Sequence, residues 1–110
     1  MFKNKKVLVT GGTGFVGVNL IERLLGLGAH VRATLHRKPA VIPDGSVAYV
    51  QCELTKAEDC ARAVKDVDYV FMCAANTSGA AVMEKTPLVH VTPNVIMNTL
   101  MLEAAYEAKV

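Results

Sequence analysis

The sequence contains no tryptophan, only three cysteines and no long apolar run, and its charges nearly balance. An odd number of cysteines without metal-ligand spacing argues against a disulfide framework and against a metal site, and free thiols are typical of a reducing compartment, so we expect a cytoplasmic protein. A net charge of +2 with scattered lysines and arginines does not indicate nucleic-acid binding. No stretch approaches the roughly 18–20 apolar residues that cross a bilayer, so no membrane partner is expected.

The composition is that of a globular protein, since 52% of the residues are hydrophobic and 20% are charged. The length of 110 residues is sufficient for one domain. Strands are predicted at residues 6–10, 30–35, 47–50 and 68–73; the first is a short apolar run typical of a strand covered on both faces, and the fourth is expected to be buried. Helical patterns lie after the first, third and fourth strands. This order predicts an α/β fold, a Rossmann-type doubly wound parallel sheet with strand order 3-2-1-4, in one domain over residues 1–110.

The first predicted helix has an apolar stripe of Val16, Leu20, Leu24 and Leu27 with Ile21 and Leu25 beside it, and Gly28 stands where a glycine ends a helix. Its beginning coincides with the glycine-rich run described below.

The other two helices have predicted start signals. Thr55 and Glu58 match a capping box, in which each side chain bonds a free backbone amide of the first turn. Thr92 and Pro93 match an N-cap followed by a proline at the first helical position, opening a helix that runs to Ala108. The residues expected on the apolar face of the second helix are Ala57, Cys60, Ala61 and Val64.

The run Thr-Gly-Gly-Thr-Gly-Phe-Val-Gly at residues 10–17 joins the first strand to the first helix. In a dinucleotide-binding turn Gly11 permits the tight turn, Gly14 lets a pyrophosphate approach bare backbone, and Gly17 allows close helix packing. The alternative is a helix-capping turn that happens to be rich in glycine. No Gly-Lys-Ser/Thr follows, which excludes a kinase-type phosphate loop.

The spacing of these glycines resembles the short-chain dehydrogenase/reductase superfamily, and its extended branch in particular. The segments D-Y-V-F-M-C-A-A at 68–75 and N-V-I-M-N-T-L-M-L-E-A-A at 94–105 are similar to that branch's fourth strand and following helix. Ser78-Gly79, Pro87 and Asn94 keep a spacing loosely similar to GDP-fucose synthase-like enzymes. The resemblance implies the NAD(P)-binding portion of a nucleotide-sugar epimerase, dehydratase or reductase.

The resemblance also implies cofactor contacts at positions that match the family's motifs. The family usually has aspartate where Glu53 stands, and an apolar residue where Pro93 precedes the helix asparagine. The implied contacts are Gly11, Gly14, Phe15, Val16 and Gly17 at the pyrophosphate, Glu53 and Leu54 at the adenine, Ala74 and Ala75 at the nicotinamide-side ribose, and Asn94 near the active site.

The end of the second strand determines which dinucleotide is expected. An NAD site has an acidic side chain there for the ribose 2′-hydroxyl, but this sequence has His36, Arg37 and Lys38. Arg37 can grip a 2′-phosphate with two hydrogen bonds while Lys38 or His36 adds charge, so NADP is expected, with NAD as the alternative. The alternative interpretation of these basic residues is a solvent-exposed loop that binds no phosphate.

The family's acid/base pair, Tyr-x-x-x-Lys, does not occur in the 110 residues; Tyr106 and Lys109 are one residue too close. We therefore expect no catalytic residue here and interpret the chain as a fragment of a longer enzyme, inactive alone. The alternatives are a non-catalytic NAD(P)-sensing module and a fold remnant that binds nothing.

The last helix is apolar nearly all round, which predicts a homo-oligomer formed through this helix, with Met97 in the contact. An uncovered edge at residues 68–73 is expected to favour the same association.

Overall fold

A computed structural model of the chain describes residues 2–36, 39–42, 45–74 and 88–110. Strands and helices in these ranges follow the predicted order. They are β1 (Lys6–Thr10), α1 (Phe15–Gly26), β2 (His30–Leu35), β3 (Val47–Gln51), α2 (Ala57–Val64), β4 (Tyr69–Met72) and α3 (Leu88–Glu107).

The four strands form one parallel sheet in the order β3-β2-β1-β4, which confirms the predicted fold class and topology. In β1, Val7 is paired with Val31 of β2 on one side and with Tyr69 of β4 on the other. The central strand is therefore covered along both edges. Because parallel strands all point one way, their carboxyl ends meet at one edge of the sheet, where ligands bind in such folds.

Side chains of β1 alternate between two hydrophobic clusters, one on each face of the sheet. Leu8 joins the cluster that α2 and α3 cover, with Cys60, Val64 and Met101. Val7 and Val9 join the cluster on the α1 face, where they are fully buried. The fold thus has three layers, with the sheet between α1 and the α2–α3 pair. Other members of the α1-face cluster are Ile21, Leu24, Ala29, Val31, Ala33 and Val47.

Helix α1 ends as predicted, but its buried face differs from the expected one. Gly28 has φ +84° and donates to the carbonyl of Leu25 at 3.0 Å. Ala29 donates to the carbonyl of Leu24 at 3.1 Å, which completes a Schellman motif. The buried residues of α1 are Gly17, Ile21 and Leu24. Val16 and Leu27, which were expected on the buried face, are exposed, because the helix approaches the loop at Gly11 most closely through Gly17.

The predicted capping box of α2 is wrong. Lys56 occupies the N-cap position and its side chain makes no capping bond. The hydroxyl of Thr55 instead donates to Oε1 of Glu53 at 2.8 Å, and Thr55 lies one residue before the N-cap, too early to cap the first turn. The buried face is Cys60, Ala63 and Val64, whereas Ala57 and Ala61 are exposed.

Helix α3 begins at Leu88, so the predicted start at Thr92 and Pro93 is wrong. Proline removes the hydrogen bond to the carbonyl four residues earlier, but its fixed φ is helical, and the helix continues on its amino-terminal side. Among the side chains of α3 that the structure describes, Met101 and Ala104 are buried and pack against α2. Among the ranges described, no helix is long and apolar enough to cross a membrane.

Candidate dinucleotide-binding site

The glycine loop between β1 and α1 has a shape that side chains would obstruct. Gly11 has φ +72°, and a Cβ atom there would lie 2.8 Å from the backbone of Ala74. A Cβ atom on Gly17 would overlap the carbonyl oxygen of Gly11, and one on Gly12 would lie 2.7 Å from Cβ of Ala33. By contrast, the nearest atom to a Cβ on Gly14 is 3.6 Å away. Three glycines therefore shape the loop, and Gly14 leaves a surface open.

Two buried threonines hold this loop against the sheet. The backbone N–H of Gly11 donates to the hydroxyl oxygen of Thr34 at 3.0 Å, and the N–H of Gly12 donates to the carbonyl of Thr34 at 3.0 Å. On the other side, the hydroxyl oxygen of Thr10 accepts the N–H groups of Cys73 at 3.0 Å and Ala74 at 3.1 Å. The loop is thereby fixed to β2 and to the end of β4 at the carboxyl edge.

The amino terminus of α1 is open to an anion. The first-turn amides of a helix have no partner within the helix, and the N-cap residue Gly14 has no side chain to bond them. The first turn of α1 has no acidic residue, whereas that of α2 has Glu58 and Asp59. Beside these amides Phe15 is 86% exposed and Val16 63% exposed. A positive helix end with bare glycine and apolar neighbours is suited to a pyrophosphate group.

Glu53 lies at the same edge, two residues beyond β3. Its Oε2 is 2.6 Å from Nε2 of His36, which directly follows β2. Hydrogen bonds from Thr55, together with the charge of His36, lower the pKa of the Glu53 carboxyl below its ordinary value. The side chain of the next residue, Leu54, is buried in the core cluster, so only its backbone can reach a ligand.

Of the remaining residues expected to contact the dinucleotide, only some lie near the glycine loop or within the described residues. Ala74 adjoins Gly11 and packs on the core. Asn94 is half-buried within α3 rather than at the helix start. Arg37, Lys38 and Ala75 lie outside the described residues. The structure thus brings the glycine loop, Glu53 and Ala74 to the carboxyl edge of the sheet.

Sequence reasoning missed Gly12, Thr10 and Thr34 as parts of the site. The signal for the two threonines is a polar residue close to the carboxyl end of a strand inside the sheet, where both are buried. Burial at such a position requires a hydrogen-bond partner, and both threonines have one in the glycine loop or the β4 end.

The cysteines do not form a reactive site. Cys52 and Cys60 are buried and Cys73 is half-buried, all as free thiols. Burial raises the pKa of each thiol, which keeps it protonated and weakly nucleophilic. In the part of the chain that the structure describes, no group of histidine, cysteine and acidic side chains could hold a metal ion.

Two relatives similar to the chain in sequence have different activities. Over 71 residues the chain is 44% identical to a 3 beta-hydroxysteroid dehydrogenase/Delta 5-->4-isomerase of Mycobacterium tuberculosis, a match that covers 64% of the chain and 19% of that protein. Over 105 residues it is 27% identical to a GDP-mannose 3,5-epimerase of Arabidopsis thaliana, covering 94% of the chain and 28% of the relative. The chain therefore spans between 19% and 28% of the length of these relatives.

Among solved structures, the UDP-glucose 4-epimerase of Thermus thermophilus in complex with NAD is similar to the chain with a TM-score of 0.82 and 28% identity. The match covers 96% of this chain and 35% of the epimerase. The model of the NAD dependent epimerase/dehydratase family matches residues 7–110, from the first buried residue of β1 to the end of the chain. The chain belongs to the NAD dependent epimerase/dehydratase family.

Proposed function

We propose that this chain is the NADP-binding part of an extended short-chain dehydrogenase/reductase enzyme that acts on a nucleotide sugar. The observation that carries the proposal is the amino terminus of α1, which is capped by Gly14, lacks acidic residues in its first turn and has Phe15 and Val16 exposed beside it. The contacts proposed for the dinucleotide are Gly11, Gly14, Phe15, Val16, Gly17, Glu53, the Leu54 backbone, Ala74, Ala75 and Asn94.

The choice of NADP over NAD depends on the residues that follow β2. No acidic residue follows this strand, and Arg37 and Lys38 are positioned in the sequence to bind a 2′-phosphate. His36 contributes less than its charge suggests, because Glu53 lies 2.6 Å from its ring and balances that charge. Arg37 is therefore the residue on which the 2′-phosphate contact is proposed to depend.

Calorimetric titration of the chain with NADPH and with NADH tests this assignment. Arg37→Ala is expected to weaken NADPH binding by about 10- to 100-fold, the loss of a charge-assisted hydrogen bond, and to leave NADH binding within about twofold. Arg23→Ala, in the exposed last turn of α1, is the matched control and should change neither affinity. Tighter binding of NADH, or NADPH binding that is indifferent to Arg37→Ala, contradicts the NADP assignment.

A nucleotide sugar is the proposed substrate class because the GDP-mannose and UDP-glucose epimerases match nearly the whole chain. A 3β-hydroxysteroid is the second candidate, since the relative with 44% identity is named for that substrate. Activity assays on a longer protein that contains this chain distinguish the two substrate classes. Turnover of a nucleotide sugar without turnover of a 3β-hydroxysteroid supports the first candidate, and the reverse pattern supports the second.

Two alternatives involve no catalysis by the protein. A sensing module binds NAD(P) without chemistry, and a fold remnant binds neither dinucleotide. A rise in the melting temperature with NADPH excludes the remnant, because only a ligand that prefers the folded state stabilises it. The free thiols support a cytoplasmic location for any of these.

Self-association through α3 is proposed from the two faces of this helix. Met101 and Ala104 are buried against the core, whereas Val95, Leu102 and Tyr106 are exposed at a spacing that places them along one stripe of the helix. Leu102 is 73% exposed and Tyr106 83% exposed, more apolar surface than a solvent-facing helix needs. We propose that this stripe pairs with a second copy of the chain.

A further inference from the structure

The turn between β3 and α2 is tied to the helix that follows it. The backbone N–H of Glu53 donates to Oδ2 of Asp59 at 2.7 Å, and the thiol of Cys60 donates to the carbonyl of Leu54 at 3.3 Å. Asp59 and Cys60 both belong to the beginning of α2. The backbone of Glu53 and Leu54 is therefore positioned by α2, whereas β3 itself is paired with β2 up to Gln51.

Asp59 reaches backwards from the first turn of α2. Lys56 is the N-cap, so Asp59 is the third helical residue, where a capping box has a side chain that bonds the N–H of the N-cap residue. Here the carboxylate bonds the N–H of Glu53 instead, which lies before the N-cap. The helix dipole also favours a negative charge in this turn. Asp59 thereby extends the hydrogen bonding of α2 to the turn that leads into it.

Arg62 orients the Asp59 carboxylate. Its Nη2 atom donates to the carbonyl of Gln51, the last residue of β3, at 2.7 Å and lies 3.4 Å from Oδ1 of Asp59. One oxygen of Asp59 thus faces Arg62 while the other accepts the Glu53 N–H. Because the Arg62 side chain is 58% exposed, solvent weakens the ion pair, and the hydrogen bond to Glu53 is the stronger of the two contacts.

This turn carries the two residues proposed to contact the adenine. Each oxygen of a carboxylate can accept two hydrogen bonds, so Glu53 can receive the 6-amino group of adenine in addition to its bonds with Thr55 and His36. Leu54 offers only its backbone, because its side chain is buried. Both groups follow the direction of the Glu53 backbone, which the bond to Asp59 fixes. A rotation there would turn both groups away from the base.

We propose that Asp59 is a positioning residue for the adenine end of the dinucleotide, holding the backbone of Glu53 and Leu54 in the conformation that meets the base. This rests on the proposed function, since it takes these two residues as the adenine contacts. Asp59 itself acts through the Glu53 N–H and not through the ligand. Loss of its carboxylate therefore weakens recognition of the base and leaves the pyrophosphate site at Gly14 unchanged.

The experiment compares NADPH with its hypoxanthine analogue, in which a carbonyl oxygen replaces the 6-amino group of the adenine. Calorimetry gives the dissociation constants of both ligands for the full chain, and their ratio is the readout. The carbonyl has no hydrogen to donate to Glu53, so the wild-type chain is expected to bind the analogue about three- to thirtyfold more weakly. Contacts with the phosphates and riboses are common to the two ligands and cancel, as does any loss of folded protein.

The variants separate the hydrogen bond from the charge of the helix turn. Asp59→Ala removes the acceptor and should bring the two dissociation constants to within about twofold of each other. Asp59→Asn retains an amide oxygen that can accept the Glu53 N–H and should preserve most of the wild-type ratio. Glu58→Ala removes an exposed carboxylate from the same turn and is the matched control, with an unchanged ratio.

Circular dichroism verifies the fold of each variant. If Asp59→Ala does not fold, Asp59→Ser makes the same test, because its shorter side chain withdraws the acceptor from Glu53. A wild-type ratio retained in the Asp59→Ala or Asp59→Ser chain, or one lost equally in Asp59→Asn or Glu58→Ala, overturns the inference while the proposed function stands. A wild-type chain that binds the analogue as tightly as NADPH does the same. A wild-type chain that binds neither ligand overturns the proposed function as well.

Discussion

Gly17 and Gly11 are in backbone contact, so that a Cβ atom on Gly17 would overlap the carbonyl oxygen of Gly11. The first turn of α1 therefore rests on the loop that leads into it. The spacing of the glycines is explained by this contact and by the positive φ of Gly11.

Gly17→Ala is expected to lower the free energy of unfolding by about 1–3 kcal/mol, because the helix must move away from the loop. Gly14→Ala is the matched variant: its Cβ would have 3.6 Å to the nearest atom, so stability should change by less than about 1 kcal/mol. Urea denaturation measures both. Dinucleotide affinity should nevertheless fall at least about tenfold in Gly14→Ala, since the methyl group occupies the open surface. Equal destabilisation by the two substitutions would contradict this interpretation.

Thr10→Val is expected to destabilise the fold more than Thr34→Val. The Thr10 hydroxyl accepts two backbone N–H groups, from Cys73 and Ala74, whereas the Thr34 hydroxyl accepts one, from Gly11. At about 1–3 kcal/mol for each buried donor left without a partner, the free energy of unfolding should fall roughly twice as far in Thr10→Val. Chemical denaturation measures the difference, and Thr92→Val at an exposed position serves as the control. A reversed order would show that the loop is held mainly from β2.

Glu53→Gln is expected to reduce stability at neutral pH but not in acid. The pKa of the Glu53 carboxyl is lowered, first by the hydrogen bond from Thr55, so its contribution is present above its unfolded-state pKa and is lost as the pH falls through the lowered value. Because the side chain is about a third exposed, solvent screens the effect, and about 1 kcal/mol or less is expected near pH 7. Denaturation curves of wild type and variant should converge below about pH 4. A difference that widened in acid would reverse the sign and refute the argument.

Leu102→Glu is expected to convert an oligomer to a monomer without loss of stability, because the Leu102 side chain is 73% exposed. Met97→Glu should instead lower the free energy of unfolding, by about 1–3 kcal/mol, since Met97 is half-buried and packs against the core cluster. Sedimentation at micromolar concentration measures the first effect and thermal unfolding the second. A monomeric wild-type chain excludes the interface, and broad aggregates indicate an unspecific apolar surface.

The 110-residue chain is expected to show no hydride transfer with nucleotide sugars, because it contains no Tyr-x-x-x-Lys pair. NADPH absorbance measures this directly. Turnover that a substitution within residues 1–110 abolishes would reveal an acid/base group that the sequence motif does not show.

The strand order could be predicted because the apolar run of β1 indicates a central strand covered on both faces, and the right-handed crossover rule leaves few arrangements. Helix starts were harder to predict. In α2 the N-cap is Lys56, one residue after Thr55, and the Thr55 hydroxyl donates to Glu53 instead of accepting a first-turn amide. In α3, Pro93 resembled a first helical residue but lies within the helix, since its backbone angle suits either position.

The glycine positions of the site could also be predicted from spacing, because their roles depend on local backbone shape. The anchors of the loop could not. Thr34 is 23 residues from Gly11 in sequence and Thr10 is 64 residues from Ala74, so their hydrogen bonds arise only from the strand order. The His36–Glu53 contact likewise joins the ends of two strands, and neither residue is unusual in its own segment.

The hydrogen bonds that hold the glycine loop to β2 and β1 to the end of β4 span very different distances in the sequence, which implies an order of folding events. The unit β1–α1–β2 closes within one short segment, so the bonds from Gly11 and Gly12 to Thr34 can form early, at a low loop-closure entropy. The Thr10 hydroxyl can accept the N–H groups of Cys73 and Ala74 only after β4 has docked on β1, and these residues lie more than 60 positions later in the sequence. Amide hydrogens of Cys73 and Ala74 should therefore acquire protection from exchange after those of Gly11 and Gly12, and the glycine loop becomes fixed on its second side only when β4 docks on β1.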